Sequence, residues 1–305
     1  MVLLHESFIE GMCSISGFSP PGVFSTDEIN ISNLSSQCAQ NMLKDCVIKA
    51  SHNSAYNGTN IDTNMVSFVI SRGVRFLDFE LHYDGTDGVI VGNVKFSTIL
   101  TKINESAFTD NTTGCASPNK NDPMFIHLRI KTGTSAAYTA INEDLDSFLQ
   151  NNSANKCDIN VYPDTKLFDI KKKYVIIVDQ NSENYFDNKN IIFKNAVSGD
   201  GYFKLFNGSS DFLCPKRPTL TSDTTTDITA VNILLEQDTY SIFGYTITDP
   251  SMKDLVTTYG VQVIAYKYYG NNTNRDQSEA VFNYFNSAFI NLAQCIQYFE
   301  ALETQ

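Results

Sequence analysis

Two carboxylates and an imidazole alternate along one short segment of this sequence. Residues 74–82 read VRFLDFELH, and an extended chain would place Asp78, Glu80 and His82 on one face. Two neighbouring carboxylates repel each other unless a cation lies between them, so a positive group should be present. A hard divalent cation with oxygen ligands, such as calcium, would satisfy the pair.

The cation could instead come from the protein itself. Residues 124–130 (MFIHLRI) form a second predicted strand, with His127 and Arg129 on one face. Arg129 could pair with Asp78 and Glu80 and leave a self-neutralised polar plug that binds no ligand. The residue types alone do not decide between a metal site and this plug.

A further polar motif follows an earlier apolar segment. Residues 46–50 (CVIKA) predict a short buried strand that runs directly into Ser51-His52-Asn53-Ser54. Inward residues at the carboxyl ends of parallel barrel strands gather at one mouth. We therefore expect His52 and Asn53 to lie beside the acidic pair.

The elements that would position these groups alternate between strands and helices. Apolar residues at helical spacing predict helices over residues 63–72, 136–149, 251–259 and 278–302, the last as one long terminal helix. Strands are predicted over residues 88–92, 173–179 and 261–268, and the pattern of residues 228–235 is ambiguous. Such alternation indicates βαβ units and a mostly parallel sheet. Over this length a TIM-barrel-like α/β fold is the favoured closure. Residues 1–40 are predicted to form a loop-rich arm, and residues 41–305 the barrel with its C-terminal helix.

Composition excludes several classes of function. The chain has 305 residues and a formal charge of −12, which argues against bulk nucleic-acid binding and against docking onto anionic lipid by charge alone. No apolar run is long enough to span a bilayer. The first residues lack a basic leader, so we expect no secretory signal and a cytoplasmic or virion location.

The seven cysteines are dispersed and form no CxxC motif. This distribution predicts free thiols in a reducing compartment. The alternative keeps one disulfide, which would join Cys13 to Cys38 or Cys46.

In combination these motifs resemble the X region of phosphoinositide-specific phospholipase C. That family has a Ser-His-Asn-Thr-Tyr opening, then Gly-x-Arg-x-x-(acid)-x-(acid), then Gly-His after the next strand. Here residues 51–56 read SHNSAY, residues 73–80 read GVRFLDFE, and Gly92-Asn93 follows the next predicted strand. The resemblance covers about residues 46–131, with a weaker likeness at 259–268, and it implies a barrel from a family of phosphoric diester hydrolases.

The resemblance also implies roles for individual residues. His52 would be the first catalytic histidine, and Asn53, Asp78 and Glu80 would be calcium ligands. The metal-free bacterial members have arginine at the second acidic position, so Glu80 places this chain nearer the metal-using type.

Three departures from the family pattern put that chemistry in doubt. Asn93 replaces the second histidine, the general acid whose loss typically costs about a hundred- to ten-thousand-fold in rate. Arg129 stands where a further acidic calcium ligand is expected, and Asp179 ends a strand that carries lysine in phosphoinositide-cleaving members. His82 or His127 could serve as a substitute proton donor.

These observations lead to three functional hypotheses. The first is a non-catalytic relative that acts as a binding or structural protein with protein partners. Its asparagine-rich composition is common in proteins of large DNA viruses and of AT-rich microbes, and a minor capsid protein of a virus is the concrete version of this hypothesis. The alternative is a calcium-dependent phosphodiesterase that cleaves phosphoinositides or related phosphodiesters. The third is a barrel that binds a phospholipid or sugar phosphate without turnover.

Overall fold

The fold is built around one large, mostly parallel sheet with helices outside it. The computed structural model describes residues 18–19, 24, 28–110, 116–178, 203–206, 217–236, 240–242, 245–247 and 251–304. The strands are β1 (Cys46–His52), β2 (Phe76–Asp84), β3 (Gly88–Val91), β4 (Val94–Lys95), β5 (Met124–Ile130), β6 (Tyr174–Val178), β7 (Phe203–Phe206), β8 (Val231–Leu235), β9 (Tyr240–Ile242), β10 (Tyr245–Ile247), β11 (Val263–Lys267) and β12 (Phe289–Asn291). The helices are α1 (Thr63–Ser71), α2 (Phe96–Ala107), α3 (Ser135–Asn151), α4 (Met252–Thr257), α5 (Thr273–Phe285) and α6 (Leu292–Glu303).

Seven parallel strands follow one another in the order β6-β5-β2-β1-β11-β8-β7. The predicted parallel α/β sheet is therefore confirmed. Beyond the parallel region, β2 continues into an antiparallel hairpin with β3 and β4, and β12 pairs antiparallel with β1. No pairing between described residues joins β6 to β7, so the described sheet is not closed.

An apolar floor lies inside the sheet below the polar mouth. Phe76 and Phe125 stack with ring centroids 6.4 Å apart, and Phe289 lies 6.4 Å from Phe125. All three rings are buried. The side chains of His52, Asp78, Glu80 and Arg129 lie beyond this floor, toward the carboxyl ends of β1, β2 and β5.

The predicted long terminal helix over residues 278–302 is wrong. Helix α5 ends at Phe285, and Asn286 caps it in the left-handed conformation with φ 51°. Strand β12 then pairs with β1, and the Asn291 side chain accepts the Gln294 N–H to start α6. The apolar residues of β12 fit the helical pattern of the neighbouring sequence, but they are buried in a strand. Helix α2 was not predicted, and the ambiguous segment 228–235 contains strand β8.

The residues before β1 lie against the barrel where they are described. Leu34 N–H donates to the buried Asp122 carboxylate at 2.8 Å, and Asn30 donates to the Asn283 carbonyl at 3.0 Å. The arm boundary at residue 40 stays a prediction.

Cys38 and Cys46 are free thiols, whereas Cys13 lies outside the described residues. In the part of the chain that the structure describes, no helix combines the length and apolarity needed to cross a bilayer.

Candidate functional site

The polar mouth is assembled by strand register. Asp78 pairs with His127 and Glu80 with Arg129 across β2 and β5, so the four side chains leave the sheet on one face. The end of β1 is tied to β2 by Ser54, whose N–H donates to the Asp78 carbonyl at 2.9 Å and whose hydroxyl accepts the Asp78 N–H at 3.0 Å.

Asn53 turns the chain sharply at the end of β1. Its φ of 46° lies in the left-handed region, which asparagine tolerates better than most residues. This turn brings the Asn53 N–H within 3.1 Å of the Asp78 carboxylate. His52 and Asn53 therefore converge with the acidic strand, as the sequence predicted.

Asp78 is the buried centre of the site. One carboxylate oxygen lies 2.7 Å from His52 Nδ1, and the other lies 2.8 Å from His127 Nδ1 and 2.9 Å from Arg129 Nε. Burial would raise the pKa of Asp78, but the Arg129 guanidinium and the two imidazoles hold that pKa well below its usual value. The carboxylate is therefore ionised at neutral pH.

Arg129 bridges the three residues that were predicted to bind calcium. Its guanidinium donates to Asn53 Oδ1 at 2.5 Å, to Glu80 Oε2 at 2.6 Å and to both oxygens of Asp78. Burial would lower the pKa of Arg129, yet Asp78 and Glu80 raise it above its ordinary value. This is the guanidinium–carboxylate fork expected for the polar plug.

The donor set does not fit a divalent cation while Arg129 holds this position. Calcium requires six to eight oxygen ligands, but here the oxygens of Asn53, Asp78 and Glu80 already accept hydrogen bonds from a cation. Among the described residues no cluster of three or more His, Cys, Asp or Glu side chains is arranged to hold a metal ion.

The three imidazoles of the site have different surroundings. His52 is 11% exposed, and its Nε2 faces the Asn53 side-chain amide at 3.1 Å. His82 is 46% exposed and contacts Glu80 at 3.0 Å. His127 is fully buried below Asp78, and its Nε2 has no hydrogen-bond partner among the described residues. Only His52 and His82 can therefore be reached from the mouth.

Asn93 lies on an exposed hairpin turn. Val91 pairs with Val94, which leaves Gly92 and Asn93 as the two turn residues. The space at Gly92 is closed by Ile61, a residue of the loop that follows Asn53. No hydrogen bond between described residues joins Asn93 to the acidic cluster. Asp179 lies outside the described residues.

Sequence reasoning missed two positions at this mouth. Ser54 anchors β1 to β2, and its place inside the SHNSAY motif was the available signal. Lys267 pairs with His52 across β1 and β11, so it adds a cation to the same rim. Strand alternation in residues 261–268 could have identified Lys267.

Comparisons with known proteins identify the fold. No protein-family model matches the sequence, and no curated protein matches it. The crystal structures of PLC21 from L. pealei and from S. officinalis are similar to this chain, with TM-scores of 0.53 and 0.50 and identities of 10% and 13%. Each comparison covers 85% of this chain and 38% of the other. The chain has the phospholipase C barrel fold.

The predicted phospholipase C-like, TIM-barrel-like fold is thus confirmed. The phosphatidylinositol-specific phospholipase C from Listeria monocytogenes is a further match, with a TM-score of 0.47, 10% identity, and coverage of 84% of this chain and 97% of that enzyme. The chain spans 38% of the length of the two PLC21 proteins. At these identities the phospholipase C comparisons concern the fold, and the activity is a separate question.

Proposed function

We propose that this phospholipase C-like barrel is a binding or structural protein that does not turn over a phosphodiester. The observation that carries the proposal is the Gly92-Asn93 pair, in which Asn93 replaces the general-acid histidine that the resemblance to the family implies. An amide cannot donate a proton to a leaving oxygen and recover it near neutral pH. His127 does not replace it, because that imidazole is buried below Asp78.

The closed charge network is consistent with this proposal. Asp78 and Glu80 are both engaged by Arg129, and Lys131 lies 3.6 Å from Glu80. The acidic pair is therefore neutralised inside the protein. Catalysis would require part of this network to open toward a substrate.

The proposed partners are proteins of an assembly, and a virus particle with this chain as a minor capsid component is the concrete version. The asparagine-rich composition is what supports it. Purification from native source tests the idea: a fixed stoichiometry in a regular particle is expected, and recovery only as a soluble monomer would count against it.

Turnover is tested with a chromogenic inositol phosphodiester, in calcium and in EDTA. We expect the wild-type rate to equal that of His52→Ala in both conditions. A wild-type rate that His52→Ala abolishes would overturn the proposal. The variant His82→Ala then shows whether the exposed imidazole on Glu80 serves as the proton donor.

A second candidate function is phosphodiester cleavage, and the His52–Asp78 pair favours it. Asp78 accepts from Nδ1 of His52 at 2.7 Å, so Nε2 is the basic ring nitrogen; the Asn53 side-chain amide faces it at 3.1 Å and would have to release it before it could accept a proton from a substrate. A carboxylate that orients an imidazole in this way is a common feature of general-base sites. Because Arg129 fills the acidic pair, this candidate would act without calcium, unlike the calcium-dependent alternative drawn from the sequence.

A phospholipid or sugar phosphate bound without turnover remains compatible with the proposal. Isothermal calorimetry with inositol phosphates measures such binding directly. Saturable heat together with no hydrolysis would identify the ligand. Hydrolysis would instead support the second candidate function, phosphodiester cleavage.

A further inference from the structure

We infer that the Arg129 side chain is the resident cation of this mouth, and that it excludes divalent metal ions from the Asn53, Asp78 and Glu80 oxygens. The inference rests on the same site as the proposed function. It concerns what occupies the mouth and not whether a reaction takes place there.

The geometry of the guanidinium carries the inference. Arg129 Nη2 lies 2.5 Å from Asn53 Oδ1, and Arg129 Nη1 lies 2.6 Å from Glu80 Oε2. Both oxygens of Asp78 accept from the same guanidinium, at 2.9 Å and 3.0 Å. A calcium ion needs oxygens at about 2.3–2.6 Å, so it would have to take the place of the guanidinium.

Burial keeps Arg129 in that place. Its side chain is 14% exposed, and its principal partner, Asp78, is fully buried. If the guanidinium left, the Asp78 carboxylate would lose its main counter-charge in a region of low polarity. An entering ion would also have to be partly dehydrated, and Lys131 lies 3.6 Å from Glu80 at the rim. Arg129 and Lys131 already balance the two carboxylates of the mouth, so an entering divalent ion would meet no uncompensated negative charge.

The imidazoles do not provide a replacement set of metal ligands. Asp78 already accepts hydrogen bonds from Nδ1 of both His52 and His127, and His82 lies outside on Glu80. Because the oxygens at the mouth are satisfied from within the protein, a ligand that binds this mouth should do so equally well in EDTA.

The test is calcium binding, measured by isothermal calorimetry on the full chain. The probe is calcium chloride, and the variants are Arg129→Glu and its matched control Lys131→Glu. The control adds a carboxylate to the same strand face and leaves the guanidinium in place. We expect no saturable binding by the wild type or by the control, and one calcium site in Arg129→Glu.

Two results would overturn the inference. One is a calcium site in the wild type that Asp78→Asn removes. The other is a folded Arg129→Glu protein that binds no better than the wild type, because the guanidinium would then not be what excludes the ion. If the glutamate variant does not fold, Arg129→Gln takes its place, with at least a tenfold gain in calcium affinity expected and no gain counting against the inference.

The test separates this inference from the proposed function. Hydrolysis in EDTA would overturn the proposed lack of turnover and leave the inference standing. Calcium binding by the wild type without any hydrolysis would overturn the inference about Arg129 and leave the proposed lack of turnover standing.

Discussion

Removal of the Arg129 guanidinium should destabilise the barrel far more than removal of its neighbour Lys131. Arg129→Met preserves much of the side-chain length but deletes the donors to Asn53, Asp78 and Glu80. A buried ion pair that loses one partner costs about 3–5 kcal/mol, because the remaining charge is left uncompensated. Glu80 is partly exposed and water can replace its hydrogen bond to Arg129, so we expect Arg129→Met to lower the free energy of unfolding by about 3 kcal/mol.

The matched control is Lys131→Met, which removes a cation from the same face of the same strand. Lys131 is half-exposed and forms an ion pair with the rim carboxylate of Glu80, so the loss of its ammonium group should cost about 0–1 kcal/mol. Urea unfolding at neutral pH measures both free energies of unfolding. The double variant Asp78→Asn with Arg129→Met should lose less stability than the sum of the two single changes, because no fully buried carboxylate is then left without its guanidinium. Equal losses for the two single methionine variants would refute the role given to the guanidinium.

Three further predictions concern other parts of the fold. Burial raises the pKa of Asp122 to about 6, so its contribution to the free energy of unfolding is fully present below its unfolded pKa of 3.8 and is lost as pH rises through 6. Between pH 4 and 7.5 the wild type should lose on the order of 1–3 kcal/mol of stability that Asp122→Asn does not lose. Identical pH profiles of the two proteins in urea unfolding would contradict this. The guanidinium groups of Arg72 and Arg275 lie 4.3 and 3.9 Å from the centroid of the Phe24 ring, so Phe24→Ala should lower the free energy of unfolding by about 2–3 kcal/mol. Phe168 is 58% exposed, so Phe168→Ala should have an effect near zero, and equal thermal stabilities of the two variants would count against the contact. Gly92→Ala would bring the new Cβ within 2.6 Å of Ile61 at a residue with φ +57°, so it should lower the free energy of unfolding by about 1–3 kcal/mol. Its control is Gly85→Ala, whose Cβ would meet nothing within 4 Å and should be tolerated. Similar melting temperatures for the two variants would show that the turn can relax.

The convergence of the site could be predicted because it depends on two regular features. Alternation along a strand places Asp78 and Glu80 on one face, and parallel pairing brings the carboxyl ends of neighbouring strands together. The same alternation places His127 and Arg129 together on one face of the strand predicted over residues 124–130. The choice between a metal ion and Arg129 was open because either cation satisfies two carboxylates. The register that places Arg129 opposite Glu80 comes from the pairing of β2 with β5, which the sequence does not give.

Other features depend on contacts between residues far apart in the sequence. The break between α5 and α6 was missed because apolar residues of a short buried strand fit a helical pattern equally well. Phe24 contacts the guanidinium groups of Arg72 and Arg275, and neither partner can be identified from local sequence. The burial of His127 below Asp78 likewise follows from the depth of the barrel interior, which alternation alone does not give.

A high-resolution crystal structure of the wild-type protein, grown in millimolar calcium, tests the central claim most directly. The expected electron density shows the Arg129 guanidinium within hydrogen-bonding distance of Asn53, Asp78 and Glu80, with His52 against Asp78. Density for a metal ion among those oxygens, with the arginine turned away, would contradict the account.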